Sequence, residues 1–380
     1  MKSSQRGAVK PAYLMEVLEA ANKAEKSGRS IIHMEVGEPV TGVPKMAKEF
    51  AIKTLTDTHL GYTETLGIPG LRQKVANLYS HRHQIDLSPD RVVITTGSSG
   101  GFILAFLAAF DAGDRVVLSS PSYPAYRNIL TAMDIEPIVL PSDSETQCQL
   151  SPKLLDSIDG QIDGVLVASP ANPTGSMLSA DELRQLIDYC DDRQIRFISD
   201  EIYHGITYEK EAETALKYKD EVIIISGFSK YFCMTGWRLG WMVVPGDMLV
   251  NIKRLSQNLY ISPPAISQYV AIEALDCGEE LDENVVRYAQ NRNYLLETLP
   301  NIGISKFAPA DGAFYLFADV SNLTNDSTTF CHRMLEETGV ATTPGIDFDP
   351  ILGHRFLRFS YAGYTDAIIE ATQRLREWLK

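Results

Sequence analysis

The sequence predicts an α/β protein with a largely parallel central sheet, helices on both faces of that sheet, and a smaller α+β domain. Three observations support this. Between about residues 90 and 245, short β-branched runs alternate with amphipathic stretches, as is typical of a parallel sheet buried on both faces. After residue 282 the pattern changes to a long polar helix followed by alternating strands. The length of 380 residues favours about two domains.

Seven strands and the helices between them form the predicted central sheet. The predicted strands are Arg91–Thr95, Arg115–Ser119, Ile135–Leu140, Gly164–Ala168, Ile195–Ser199, Glu221–Ser226 and Leu239–Val244. The predicted helices among them are Phe102–Phe110, Tyr126–Met133 and Ser179–Arg193. Ser179 followed three residues later by Glu182 is a capping-box pattern, which indicates where the third helix begins.

The smaller domain is expected to contain both ends of the chain. A polar helix over Glu283–Leu299 and strands over Ala313–Val320 and Phe356–Ser360 differ from the region before them. The first 40 residues do not fit the alternation of strands and helices either. We therefore expect a large domain over 41–282 and a small domain over 1–40 and 283–380.

Composition and charge argue against several classes of protein. The chain has 35 Lys and Arg against 49 Asp and Glu, and this net charge of −14 disfavours binding to nucleic acid or to a membrane surface. The longest apolar run, Phe102–Phe110, is too short to span a membrane, and the first residues lack the apolar core of a secretion signal. Five scattered cysteines without a CxxC pair favour reduced thiols in the cytoplasm. The spacing of His81 and His83 does not suit a metal site.

Polar residues follow several predicted strands at the edge where α/β sheets bind ligands. A Gly/Ser-rich turn with Ser98 and Ser99 follows the first strand and opens a helix, which suits a phosphate group. Asn172, Asp200 and Lys230 follow three later strands. Each feature alone has a commoner structural meaning: a turn, a helix cap or a surface lysine.

Pyridoxal 5'-phosphate is a cofactor that would use all of these groups together. It needs a lysine for a Schiff base, a carboxylate that keeps its ring nitrogen protonated, donors to its phenolate oxygen, and a helix start with an arginine for its phosphate. Lys230 supplies the amine, Asp200 the carboxylate, and Arg238 lies eight residues after the lysine. The turn matches neither GxxxxGK[ST] nor GxGxxG, which disfavours nucleoside triphosphates and dinucleotides.

Three segments resemble the signature of the class I/II aminotransferases, which belong to fold type I of the pyridoxal-phosphate enzymes and include aspartate aminotransferase. The segments are Asn172-Pro173-Thr174-Gly175, Asp200-Glu201-Ile202-Tyr203 and residues 229–240, SKYFCMTGWRLG. The resemblance extends from Gly37-Glu38-Pro39 to the segment around Arg358. It implies a fold type I enzyme that moves an amino group between an L-amino acid and a 2-oxo acid by a ping-pong mechanism, and it implies a homodimer.

The resemblance also implies a role for each matching residue around the cofactor ring. Lys230 forms the Schiff base and then carries the proton of the substrate Cα. Asp200 pairs with the ring nitrogen, and Tyr123 stacks on the ring. Asn172 and Tyr203 donate hydrogen bonds to the phenolate oxygen.

Further residues are implied for the phosphate and the substrate. The residues expected at the phosphate are Ser98, Ser99, Ser229 and Arg238, together with Tyr62, which is expected to reach the phosphate of the neighbouring subunit. Arg358 is expected to bind the substrate α-carboxylate in a bidentate fork, with Gly37 and Asn172 beside it.

Some features depart from the family pattern and leave questions open. Gly227 stands where many relatives carry serine, so Ser226 is a candidate for the missing phosphate contact. The segment Val40-Thr41-Gly42 replaces an acidic and an aromatic residue near the substrate entrance, and there is no clear second arginine for a distal carboxylate. The alternative within enzymes is a C–S β-lyase or other carbon-bond chemistry on the same fold. A ligand-sensing protein without turnover is the alternative from another class, and the complete set of cofactor residues argues against it.

Overall fold

The computed structural model describes residues 2–143 and 146–380. Its helices are α1 (Tyr13–Lys26), α2 (Lys45–Asp57), α3 (Pro69–His83), α4 (Gly97–Ala109), α5 (Pro124–Ala132), α6 (Pro152–Leu155), α7 (Ala180–Asp192), α8 (Leu249–Leu259), α9 (Ala265–Ala274), α10 (Gly278–Thr298), α11 (Ser327–Thr338) and α12 (Thr365–Trp378). Its strands are β1 (Ile32–His33), β2 (Val92–Thr95), β3 (Arg115–Ser120), β4 (Glu136–Pro141), β5 (Gly164–Ala168), β6 (Arg196–Asp200), β7 (Ile223–Gly227), β8 (Gly240–Val243), β9 (Lys306–Phe307), β10 (Tyr315–Asp319), β11 (Val340–Ala341), β12 (Thr343–Pro344) and β13 (Phe356–Ser360). None of the helices within these ranges has the length and apolar character needed to cross a membrane.

The central sheet confirms the predicted, largely parallel architecture. Within the described residues it has seven strands in the order β2-β8-β7-β6-β5-β3-β4. Neighbouring strands are parallel except where β8 pairs with β2 and β7. Because β8 is antiparallel, its first residue lies at the edge where the carboxyl ends of the other strands meet. Arg238, two residues before β8, therefore lies at the same edge as the residues that follow β2, β6 and β7.

Helices cover both faces of this sheet, as the near-continuous apolar strands predict. Ile223 and Ile225 of β7 pack in one hydrophobic cluster with Phe102 of α4. Ile224, between them, packs in the other cluster with Leu183 of α7. Successive side chains of a strand point to opposite faces, so an uninterrupted apolar run buries both faces.

Two helices begin five residues earlier than predicted, whereas the capping box is confirmed. Ser179 caps α7 and accepts from the backbone N–H of Glu182, whose side chain accepts in return. Helix α4 begins at Gly97 and not at Phe102, because the glycines in its first turns let it lie close to the sheet. A Cβ on Gly101 would be 3.2 Å from Ile225 Cγ2. Helix α10 begins five residues early, at Gly278, with two glutamates in its first turn that favour a helix start.

A smaller antiparallel sheet, in the order β12-β13-β10-β9, lies in the C-terminal part of the chain. Its central pair, β10 and β13, places Phe317 opposite Arg358 and Tyr315 opposite Ser360. The N-terminal segment joins this part of the molecule, because β1 pairs in parallel with β11, Ile32 beside Val340. We propose the division into a large domain over 41–282 and a small domain over 1–40 and 283–380, and this pairing of the two ends supports it.

Candidate active site

A cavity of about 190 Å³ lies at the carboxyl edge of the central sheet. The predicted site residues that line it are Gly37, Ser98, Ser99, Tyr123, Asn172, Asp200, Tyr203, Ser229, Lys230, Arg238 and Arg358. Tyr62 does not line it within this single chain, and its side chain is 83% exposed. The strands thus bring together residues that are up to about 320 positions apart in sequence, as expected for ligand sites of α/β sheets.

Asp200, the last residue of β6, is a buried carboxylate. Its Oδ2 accepts a hydrogen bond from the Tyr126 hydroxyl, and its Oδ1 accepts from the backbone N–H of Ile202 at 3.0 Å. Burial raises the pKa of Asp200 to about 6, against the hydrogen bonds and Lys230, which favour the ionised form. A buried carboxylate of this kind is stabilised by a cation or an N–H donor placed in the cavity.

Lys230 lies three residues after β7 and reaches into the same cavity. Its Nζ donates to the carbonyl oxygen of Gly37 at 2.7 Å. Burial, followed by the charge of Arg358, lowers the pKa of Lys230 to about 8. This lysine therefore loses its proton more easily than a surface lysine and becomes a nucleophilic amine near neutral pH.

The start of α4 and the guanidinium of Arg238 form a cradle for an anion. Gly97 has a φ of +74°, and a Cβ on it would lie 2.8 Å from Arg238 Nη2. A Cβ on Gly240 would lie 2.7 Å from the backbone nitrogen of Ser98. Both glycines are needed, because any larger residue would push β8 and Arg238 away from the helix start. The free N–H groups of the first turn and the cation together suit a phosphate.

Arg358, on β13, is 1% exposed and is held on several sides. Its Nη1 donates to Asn172 Oδ1 at 2.9 Å, and its Nη2 donates to the Glu35 carbonyl oxygen. The guanidinium lies over the rings of Tyr315 and Phe348, at 4.3 and 4.7 Å from their centroids. Its buried Nε has no hydrogen-bond partner among the described residues, so a donor remains for a carboxylate in the cavity.

Two tyrosines in the cavity were not identified from the sequence. Tyr126 follows Tyr123 by three residues, so both side chains lie on one face of the start of α5, and this spacing could have indicated it. Tyr315 lies diagonally across from Arg358 in the β10–β13 register, and this neighbour can be found only once the strand pairing is known. The Tyr315 hydroxyl is 2.8 Å from that of Tyr203.

Ser226, the candidate for the missing phosphate contact, does not line the main cavity. Its hydroxyl donates to the Glu201 carbonyl oxygen at 3.1 Å, and it lines a small separate cavity with Glu201 and His204. Gly227 packs tightly at the end of β7, where a Cβ would lie 3.0 Å from Ile202 Cδ1 and 3.2 Å from Gly240 Cα. Ser229, by contrast, lines the main cavity.

These residues fit pyridoxal phosphate. The cradle at the start of α4 matches its phosphate, and the buried Asp200 carboxylate matches a protonated ring nitrogen. Asn172 accepts from Arg358 with its carbonyl oxygen, so its NH₂ group is left to donate into the cavity. Lys230 supplies the amine.

The chain is similar to known aminotransferases in sequence and in fold. The family model "Aminotransferase class I and II" matches residues 29–374. A valine–pyruvate aminotransferase of Mycobacterium tuberculosis is 45% identical over 98% of this chain and 97% of its own length. A crystal structure of an aminotransferase from Mycobacterium tuberculosis superposes with a TM-score of 0.97 at 45% identity, covering 100% of this chain and 99% of that one. Aspartate aminotransferase from Thermus thermophilus with maleate superposes with a TM-score of 0.92 at 28% identity, covering 99% of each chain.

The match therefore extends over nearly the whole chain, and it includes the strands and turns that carry the cavity. The chain belongs to the class I and II aminotransferases, and it is a pyridoxal-phosphate-dependent aminotransferase of fold type I.

Proposed function

We propose that this enzyme moves an amino group between an L-amino acid and a 2-oxo acid by a ping-pong mechanism, with Lys230 as the lysine bonded covalently to the cofactor. The observation that carries the proposal is the position of Lys230. Its amine, whose pKa burial lowers to about 8, shares one cavity with the buried Asp200 and with Arg358. These are the three functions that transamination needs: an amine, a carboxylate for the ring nitrogen and a cation for the substrate carboxylate.

The bound cofactor supplies a carbonyl carbon that reacts with amines and a ring that draws electrons away from the substrate Cα. Asp200 holds the proton on the ring nitrogen, which it can do because its carboxylate is fixed by Tyr126 and Ile202. Asn172 and Tyr203 donate hydrogen bonds to the ring oxygen. The amine of Lys230, once free, would take the proton from the substrate Cα and deliver it to the former carbonyl carbon of the cofactor.

Arg358 binds the α-carboxylate of the substrate. Its Nη groups are held by Asn172 and by the Glu35 carbonyl oxygen, so the guanidinium has a fixed orientation. The unpartnered Nε–H is then available to the carboxylate, and a charge-assisted hydrogen bond in this buried place is strong. Gly37 lines the same cavity as Arg358, and its carbonyl oxygen accepts a hydrogen bond from Lys230 Nζ.

The substrate side chain is proposed to be apolar. Leu14 and Val36 contribute an apolar wall, and the basic side chains that line the cavity within the described residues are Lys230, Arg238 and Arg358, each of which has another role. A second carboxylate on the substrate would therefore lack a cation in this chain. The similarity to a valine–pyruvate aminotransferase supports valine or a similar aliphatic amino acid as donor and pyruvate as acceptor.

The enzyme is also proposed to work as a homodimer, with Tyr62 reaching the phosphate of the other subunit. Tyr62 is 83% exposed, whereas the next residue, Thr63, is held by the buried Gln268, which donates to Thr63 Oγ1 at 2.9 Å. Ile52 and Leu55 of α2 and Ile261 are large apolar side chains that are also exposed. Sedimentation of the holoenzyme tests the dimer, and a Tyr62→Phe variant with weaker cofactor binding would support the reach across subunits.

A location in the cytoplasm is proposed as well. All five cysteines lie within the described residues, where each is a buried free thiol. Free thiols persist in a reducing compartment. Detection of the enzyme in a cell fraction other than the cytoplasm would contradict this location.

Borohydride reduction of the holoenzyme followed by peptide mass mapping tests the position of the covalent bond. The cofactor mass should appear on the peptide that contains Lys230. An adduct elsewhere, or no adduct, would overturn the proposal.

A half-reaction screen tests transamination and the substrate class. Valine alone should convert the cofactor completely to its amine form, whereas a C–S β-lyase acting on cysteine-like substrates would release ammonia and pyruvate. We expect kcat/KM for valine to exceed that for aspartate by at least about tenfold, since each buried CH₂ contributes about 0.8 kcal/mol and a carboxylate would be buried without a partner. A preference for aspartate would contradict the apolar substrate and leave the transamination intact.

A further inference from the structure

Tyr315 connects the two ends of the cavity. It is 1% exposed and begins β10, in the small antiparallel sheet. Its hydroxyl lies 2.8 Å from the hydroxyl of Tyr203, and its ring lies under the guanidinium of Arg358 at 4.3 Å. A Cβ on Gly37 would lie 1.7 Å from its oxygen, so the hydroxyl occupies the space that a side chain at Gly37 would need. One side chain therefore contacts the substrate arginine and the tyrosine at the cofactor.

The direction of the hydrogen bond between the two tyrosines follows from counting protons. Each hydroxyl carries one proton to donate. If Tyr203 donates its proton to the ring oxygen of the cofactor, it has none left for Tyr315. Tyr315 must then donate to Tyr203, whose oxygen accepts.

We propose that Tyr315 is a positioning residue that donates a hydrogen bond to Tyr203, strengthens the bond that Tyr203 donates to the cofactor, and seats Arg358 on its ring. This inference rests on the function proposed above and goes beyond it, because it assigns a role to a residue outside the motifs. Consecutive hydrogen bonds polarise one another, so a hydroxyl that accepts a bond becomes a better donor. The ring contributes separately, since a desolvated guanidinium is attracted to an aromatic face.

The surroundings leave few other groups that could produce the same effect. The charged and titratable groups around the pair are Lys230, Arg358, Asp200 and Tyr123. Burial raises the pKa of both tyrosines, so both keep their protons over the working range of the enzyme. A change at Tyr315 is therefore transmitted through the hydroxyl pair and not through a change of charge.

Tyr315→Phe is the main test, because it removes the hydroxyl and keeps the ring. A hydrogen bond to the ring oxygen stabilises negative charge there and lowers the pKa of the proton at the Lys230 nitrogen in the holoenzyme. Weakening that bond should raise the pKa, read from the pH titration of the cofactor absorbance, by about half to one unit, a threefold to tenfold change in proton affinity. KM for the amino acid should stay within about twofold, since the ring under Arg358 remains.

A double-mutant cycle tests whether Tyr315 acts through Tyr203. Tyr203→Phe should shift the same absorbance titration at least as far as Tyr315→Phe, and the double variant should show no further shift, since the second residue has lost its target. Tyr361→Phe is the matched control. This variant also removes a buried tyrosine hydroxyl, in this case one that contacts the Ala313 carbonyl oxygen, but Tyr361 does not line the cavity. It should leave the titration unchanged.

The role of the ring is tested with Tyr315→Leu. This variant should raise KM for the amino acid by about tenfold over Tyr315→Phe, the size expected for a desolvated cation–π contact. Three results would each overturn the inference. The first is a Tyr315→Phe titration equal to that of the wild type, and the second is additive shifts in the double variant. The third is equal KM values for the Phe and Leu variants. A wild-type holoenzyme without the adduct at Lys230 would instead overturn the proposed function.

Discussion

The two halves of the active-site cavity are built in different ways. One half is the carboxyl edge of the central sheet, where Asp200, Lys230 and the start of α4 stand at the ends of β6, β7 and β2. The other half comes from the small antiparallel sheet and the N-terminal segment, which contribute Arg358, Tyr315 and Gly37. The first half holds the groups proposed for chemistry, and the second holds the groups proposed for the substrate carboxylate.

This difference shows how a fold separates binding from chemistry. A parallel sheet places the residues after its strands at one edge, so a set of reactive groups gathers there without any further device. The antiparallel sheet instead contributes side chains from its face, such as Arg358, whose guanidinium lies over the ring of Tyr315. Loss of Lys230 or Asp200 from the first half should therefore lower kcat, and loss of the Arg358 guanidinium from the second half should raise KM.

Lys230→Ala should have the largest effect. It removes both the covalent bond to the cofactor and the amine that moves the Cα proton, and general acid–base catalysis alone contributes up to about 10⁴-fold. We expect kcat to fall by at least that factor and the absorbance band of the enzyme-bound cofactor to be lost. Lys253→Ala, on the exposed face of α8, is the control and should behave as the wild type. Multiple turnover by the Lys230 variant would remove the lysine from the proposed mechanism.

Asp200→Ala should lower kcat by about 10² to 10⁴-fold while some cofactor still binds, because the ring nitrogen loses the group that holds its proton. The measurement is a single-turnover rate on enzyme saturated with cofactor. KM should change much less than kcat. Turnover near that of the wild type would contradict the role of the carboxylate and would also remove the contrast between the two halves.

Arg358→Lys tests the other half. A lysine keeps the charge but lacks both the Nε–H left for the carboxylate and the planar group that lies over Tyr315 and Phe348, and the lost charge-assisted hydrogen bond is worth about 1.5–3 kcal/mol. KM for the amino acid should rise by about 10 to 100-fold, with kcat reduced far less. If kcat fell as far as in Asp200→Ala while KM stayed constant, binding and chemistry would not be divided between the two sheets.

The cofactor half was largely predictable from sequence because its residues follow strands of recognisable type. Asp200 ends an apolar strand, and Lys230 comes shortly after another, so both were placed at the correct edge before the pairing was known. Arg238 reaches this edge for a different reason: it precedes the antiparallel strand β8. Its function was indicated by the motif, whereas its geometry required the sheet.

The substrate half was less predictable because its contacts depend on strand register and on packing between distant segments. Tyr315 has no motif, and its neighbours Gly37 and Tyr203 are more than 100 residues away in sequence. Gly37 was expected because backbone approaches the substrate there, but the structure adds a second reason, since the Tyr315 hydroxyl occupies the position of its Cβ. Short-range patterns contain no information about such pairs.

Tyr126→Phe should lower kcat by about tenfold, a smaller effect than loss of the carboxylate that Tyr126 supports. The Tyr126 hydroxyl donates to Asp200 and favours its ionised form, so its removal should raise the pKa of Asp200 by about one unit, as for one hydrogen bond to a charged group. The acidic limb of the pH profile of kcat should move to higher pH. Tyr260→Phe, whose hydroxyl contacts only Ser256 on α8 among the described residues, is the control. An unchanged acidic limb would show that Ile202 N–H suffices to hold the carboxylate.

Glu201→Gln should have the smallest effect on turnover and a clear effect on stability. Glu201 follows Asp200 directly, but its side chain lies outside the main cavity, 3.5 Å from His204 Nδ1, and burial raises its pKa to about 8 from an ordinary value of 4.5. The folded state therefore binds more protons than the unfolded state between these two values, and the wild type should lose stability as the pH rises through that window.

Glutamine can still accept the three hydrogen bonds that Ser199, Thr214 and the backbone of Ala215 donate, and it does not titrate. The free energy of unfolding, measured with urea, should thus increase in the variant relative to the wild type by up to about 1.4 kcal/mol per pH unit between about pH 5 and 8. Its kcat should stay within about twofold. Parallel stability curves would show that Glu201 is ionised in the folded protein. A large loss of kcat would show that Glu201 contributes to the chemistry although its side chain lies outside the main cavity.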